Sequence, residues 1–305
     1  MIRALLALTL FLASVISPTM LRACACGCGL FEVGAAALMP TRAGGFAYLE
    51  YDLQDQGQNW SGAKKMSGDA NPDKRIRSDS FTGGVQYMFD RSWGTMVEVP
   101  VTKRHFVTTD QNGAVGSLDN GAIGDIRVRG VYSGFSGDMS SGLTFGLKLP
   151  TGPIKNVNVD RDTQIGSGST DLLLGGYHMG LVPGVGAWNW FTDGQWDEPM
   201  LDAGGYRPGA ELDAALGAYY DGWRPGGFKI APLAQVLGAA RWRDIGAIAD
   251  PGNSGYRRVL LSPGLEVSKD AVRVYGDVEF PVYQFVNGNQ LVASELYKLN
   301  VGWSF

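Results

Sequence analysis

After residue 44 apolar and polar residues alternate almost everywhere, and this period of two is what most limits how the chain can fold. In 271–283, Val272, Val274, Val278, Phe280 and Val282 fall on one face and Arg273, Tyr275, Asp277, Glu279 and Tyr283 on the other. Leu143, Phe145, Leu147 and Leu149 share a face opposite Thr144, Gly146 and Lys148. A helix would scatter both sets around its circumference. No apolar run long enough for a helical span, about 18 residues, follows the first segment, so a helical membrane protein is excluded.

Read this way, the sequence predicts about twelve strands, near 44–53, 78–90, 92–107, 121–134, 139–150, 168–180, 184–196, 209–222, 227–241, 256–268, 271–285 and 294–305. Tight links near Asp90-Arg91, Phe135–Asp138, Leu181–Pro183, Arg224–Gly226 and Lys269-Asp270 alternate with longer polar ones near 54–77, 108–120, 151–167, 197–208, 242–255 and 286–293. The fold class this predicts is all-β: an antiparallel up-and-down transmembrane β-barrel with short periplasmic turns and longer extracellular loops. A soluble sandwich or lipocalin-like barrel would put polar residues outside. Here charge gathers on one face, as in Asp125, Arg127 and Arg129, and leaves the apolar face clean, which suits lipid outside and water or paired charge inside.

Composition agrees. The chain has 44 Gly and only 18% charged residues, with 45% hydrophobic and a net charge of -4. There is no Gly-x-y period for collagen, disorder is excluded by the hydrophobic content, and no basic tract suggests nucleic acid.

Residues 1–23 carry Arg3, an apolar stretch from Ala4 to about Ile16, then Ser17, Pro18 and the small Ala23, the pattern of a cleavable secretory signal. The three cysteines, Cys24, Cys26 and Cys28, follow at once in a leader expected to span 24–43 in the periplasm, so no disulfide framework holds the body at 44–305. Three readings of this leader stay open: lipidation of Cys24, after the lipobox-like Leu21-Arg22-Ala23; soft-metal binding by Cys24, Cys26 and Cys28; and an oxidisable leader without a site. No Cys-x-x-Cys-His haem motif is present, and no cofactor is expected.

At the C-terminus Leu299, Val301, Trp303 and Phe305 alternate with Lys298, Asn300, Gly302 and Ser304. A last strand ending on an aromatic carboxy-terminus looks like the signal read by the outer-membrane barrel assembly machinery, with Trp303 and Phe305 as its residues. Two aromatic girdles are expected: Phe89, Trp93, Phe135, Trp223, Phe228 and Trp303 on the short-turn rim, and Trp196, Tyr206, Trp242 and Tyr256 on the long-loop rim.

Three Gly-rich stretches, "GAIGDIRVRGVY" at 121–132, "GLKLPTG" at 146–152 and "GSGSTDLLLGGYH" at 166–178, resemble the MetA-pathway phenol-degradation or transporter family of outer-membrane barrels. The resemblance covers about residues 120–180, and the Cys24–Cys28 leader departs from it. It implies an outer-membrane channel of a Gram-negative bacterium passing small organic solutes, and it carries over no catalytic residue.

If the apolar faces meet lipid, the interior receives Glu98, Arg104, Asp125, Arg127, Arg129, Lys148, Asp171, Glu211, Asp213, Arg273, Asp277, Glu279 and Lys298. Arg104, Arg127, Arg129 and Lys148 then face Glu211 and Asp213, and opposed basic and acidic walls filter polar solutes. The alternative is that the charges pair and plug the barrel. His105 and His178 are the only histidines, no nucleophile elbow, zinc or nucleotide motif occurs, and both read as rim residues rather than bases. The expected function is a porin-like channel whose partners are outer-membrane lipids, the assembly machinery and small solutes, in monomer or trimer. An adhesion barrel with binding loops, chiefly 54–77, and a lipid hydrolase are the competing classes.

Overall fold

The structure is a computed structural model describing residues 39–68, 71–109 and 113–305, with the backbone of Cys24–Ala25. The signal at 1–23, Cys26, Cys28 and the side chain of Cys24 lie outside the described residues. The Cys24–Ala25 backbone runs parallel to Gln290–Leu291.

The wall is built from β1 (Gly44–Gly62), β2 (Asp73–Met88), β3 (Trp93–Thr109), β4 (Val115–Ile123), β5 (Ile126–Tyr132), β6 (Ser141–Leu149), β7 (Asp171–Leu181), β8 (Trp188–Pro199), β9 (Glu211–Tyr220), β10 (Lys229–Arg241), β11 (Tyr256–Lys269) and β12 (Val272–Ser304). Each pairs antiparallel with its neighbours, save β4, which pairs with β3 alone, and β12 pairs with β1, which closes the sheet. Closure removes the two edges that would otherwise expose unpaired backbone groups to lipid.

Three elements depart from one strand per stave. β4 pairs with Val101–Thr109 of β3 and β5 with Trp93–Glu98, so together they form one stave broken at Gly124-Asp125. β12 forms two: its first half, to Val286, pairs with β11, and its second half, from Val286, pairs with β1. The chain reverses near Gly288, whose φ of 63° is the left-handed conformation that favours glycine. Ser304 N–H then meets the Ala271 carbonyl at 2.8 Å. The barrel thus has twelve staves, as the alternation predicts.

The burial pattern assigns the faces. Leu49, Phe81, Val85, Val97, Val101, Leu216 and Leu299 stand on the outside, each about half exposed, while Asp52, Gln54, Ser80, Thr102, Ser262 and Asn300 are buried within. A soluble protein rarely exposes so broad an apolar band, whereas in lipid it is the favourable surface.

The structure corrects the ends of the first staves. The stretch 54–77 is not a long loop, since β1 runs to Gly62 and β2 starts at Asp73, and β3 and β4 are likewise longer than expected. There the outward face is itself charged, with Arg75–Asp55, Arg77–Asp79 and His105–Asp119 paired across it. A strand polar on both faces gives no hydrophobic period. Nor is 286–293 a long loop, because the last hairpin turns tightly at Gly288. Tyr283 is half exposed on the outer face, because a bulge opposite Val259/Leu260 shifts the alternation by one residue.

Candidate functional site

Charge gathers on the inner face. Glu98, Arg104, Asp125, Arg129, Asp213, Asp277, Glu279 and Lys298 are buried, and Arg127, Lys148, Glu211 and Arg273 are half-buried. Alternation aims these side chains away from lipid, except Asp125, which sits in the break between β4 and β5. Barrel closure then brings together residues far apart in sequence.

The upper interior, toward the long loops, holds a cavity of about 170 Å³. Arg104, Arg127 and Lys148 line one wall and Asp197, Glu211 and Asp213 the other. Between them lies the connection from β6 to β7, folded inward and fixed by charge-assisted hydrogen bonds. Arg104 donates to the Thr163 carbonyl at 2.6 Å and the Gln164 carbonyl at 3.0 Å. Asp125 accepts the Gly152 N–H at 2.9 Å and the Ser167 N–H at 2.7 Å. Arg161, from the loop itself, donates to the Ser167 carbonyl at 2.5 Å and lies 4.4 Å over the Tyr206 ring. Tyr206 in turn donates to Asp244 at 2.8 Å, and Arg241 pairs with Asp244 at 2.8 Å. Bonds to ionised partners contribute about 1.5–3 kcal/mol each, enough in sum to hold a loop against its entropy.

Many of the charges are paired. Lys148 bridges Asp171 and Asp197, Arg129 pairs with Glu98, and Tyr48 donates to the same Glu98 at 2.5 Å. Lys298 lies 3.8 Å from both Glu50 and Asp52, and Arg273 3.7 Å from Glu266. Asp277 accepts from Gln235 at 2.9 Å and from Ser262 and Tyr275 at 2.6 Å. The basic wall therefore carries acids as well, Glu98 beside Arg129 and Asp171 beside Lys148, and Lys148 also reaches Asp197 on the acidic wall.

Several interior residues escaped sequence reasoning. Glu50 and Asp52 lie at the same spacing as Tyr48, so alternation along β1 could have found them. Arg161 had no signal, since a loop has no period. An apolar patch escaped too: Tyr177, Phe191, Leu237 and Leu260 belong to one buried cluster on inward positions.

The short-turn rim carries Phe89, Trp93, Phe135, Trp223, Phe228 and Trp303, all well exposed, with Trp93 4.7 Å from Tyr132. On the long-loop rim Trp196 and Trp242 meet edge to face at 5.0 Å. Tyr206 and Tyr256 are not girdle residues: both are buried, Tyr206 against Asp244 and Tyr256 donating to Glu211. Tyr256 starts β11 on an inward position, and Tyr206 lies in a loop that the strand period does not orient. His105 pairs with Asp119 outside the wall, and His178 meets Ser141 Oγ at 2.7 Å and the Trp190 ring at 5.0 Å on the lower rim.

A closed antiparallel barrel with an apolar outer band, aromatic rims and a polar interior is an outer-membrane β-barrel, and the cell outer membrane is its place. Among solved structures it is similar to an outer membrane channel from Pseudomonas putida F1, with a TM-score of 0.66 and 14% identity over 90% of this chain and 100% of that one. It is also similar to the β-domain of the Bordetella autotransporter Brka, with a TM-score of 0.51 and 11% identity over 87% of this chain and 100% of that one. At these identities the likeness is one of fold. No family model and no curated protein matches the chain.

Proposed function

We propose that the chain is a passive channel for small solutes, small organic and aromatic compounds among them. The carrying observation is the upper interior, where a loop folded into the barrel narrows the path to a cavity between ionised side chains. Such a constriction selects by size and charge. The family resemblance of 121–132, 146–152 and 166–178 supports the same solute class. Swelling of liposomes holding the refolded barrel tests it: faster entry of a phenol-sized neutral solute than of a disaccharide is expected, and equal rates would count against a constriction.

The hydrolase reading has one observation behind it, the Ser141–His178 contact. Among the described residues no carboxylate pairs with His178, and its Nδ1 also faces the Ser140 carbonyl at 3.2 Å, so the orienting third group of a triad is missing. A rim role fits better. Trp303 and Phe305 we assign to recognition by the assembly machinery.

A further inference from the structure

At the long-loop rim a groove of about 770 Å³ runs over the top of the wall along the ends of β8, β10, β11 and the first half of β12. Trp196, Trp242 and Phe285 form its apolar part, and Arg207, Arg243 and Arg257 line it as well. Trp242 and Arg257 are exposed on the outer face, and Trp196 and Trp242 pack together at girdle depth. Arg243 reaches the Pro251 carbonyl at 3.0 Å and Asn287 at 3.4 Å, and among the described residues none of the three arginines pairs with a carboxylate. The acid in the groove, Glu198, accepts the Trp196 indole N–H at 3.1 Å. Elsewhere on the outer face arginines do pair, as Arg75 with Asp55 and Arg77 with Asp79.

We propose that this groove binds a phosphorylated glycolipid of the outer leaflet, its acyl chains on the aromatic floor and its phosphates on the arginines. Three guanidiniums against one occupied carboxylate leave positive charge at the depth where outer-leaflet headgroup phosphates lie, and guanidinium binds phosphate bidentately. Basic pockets beside aromatic anchors hold anionic lipid headgroups. The groove meets the interior cavity at Pro199, Pro208, Gly209 and Arg241, but Trp242 and Arg257 stand on the outer face, away from the channel.

The test uses the refolded barrel in neutral detergent, titrated with lipopolysaccharide bearing lipid A phosphates, with the unfolding temperature read from heat-modifiable gel mobility. Saturable stabilisation is expected. Arg207→Gln with Arg257→Gln should raise the half-saturating concentration roughly twenty- to thirtyfold, at about fivefold per arginine. Arg42→Gln with Arg91→Gln, on the short-turn rim, removes the same charge and should leave binding unchanged. If the double variant fails to fold, Arg257→Gln alone should show roughly the fivefold loss. Dephosphorylated lipopolysaccharide should bind at least as weakly as the phosphorylated form binds the double variant, which keeps Arg243. Unchanged binding in the variants, or equal protection by phosphatidylglycerol or inorganic phosphate, would overturn the proposal.

Discussion

Gly152 and Gly166 touch backbone to backbone: a methyl group added to Gly166 would lie 2.2 Å from the Gly152 carbonyl oxygen. The contact joins the two ends of the loop between β6 and β7, and Asp125 ties both to the break between β4 and β5. The three Gly-rich stretches thus converge on one place, where backbones must approach closely and a carboxylate gathers their N–H groups.

Gly166→Ala should therefore loosen the loop. Overpacking costs about 1–3 kcal/mol. Limited proteolysis of the folded barrel should cut within 151–167 in the variant and spare the wild type; identical patterns would show that the contact does not hold the loop.

Asp125→Ala leaves two inward N–H groups without their acceptor and removes two charge-assisted bonds. A loss of about 3–5 kcal/mol is expected. It is read as a lower temperature for the shift from folded to unfolded gel mobility, and Asp125→Asn should fall between variant and wild type.

Arg129 pairs with Glu98, so Arg129→Ala strands a buried carboxylate and should destabilise the barrel by about 3–5 kcal/mol. A gel-mobility transition as high as that of the wild type would contradict that role. Arg127 lines the cavity, so Arg127→Ala should shift the reversal potential in a salt gradient toward cations, and an unchanged potential would remove Arg127 from the path of the ions.

Phe305 joins Gly45 through two backbone hydrogen bonds, 2.8 and 2.9 Å long, at the seam where the barrel closes. Replacing its ring by Ala keeps those bonds. Phe305→Ala should refold in vitro with normal gel mobility, yet reach the outer membrane of cells in markedly lower amount. Equal amounts in both would remove the assembly role.

Most of the wall was legible in the sequence, because one face meets lipid and the other does not, so burial imposes a period that residues such as Val272 and Arg273 report directly. Twelve staves, the tight turns and the inward charges follow from that period alone. It fell silent where both faces are polar, at Asp55 and Arg77 above the lipid, and where bulges shift it, at Tyr283. The candidate site was half legible. Arg104 and Asp213 are strand residues with a readable face, whereas Arg161 and Tyr206 enter from loops whose path depends on Asp125 and Asp244. Phe191 and Leu237 look outward by type and point inward by position, which only pairing with neighbouring strands decides.

The central claim, an open but constricted path through the barrel, is tested most directly by planar-bilayer conductance of the refolded mature chain, with heat-modifiable mobility confirming the barrel. Small stepwise conductances are expected, and Arg104→Ala, which releases the Thr163–Gln164 segment, should enlarge each step. A correctly folded barrel that conducts in neither form would contradict the account.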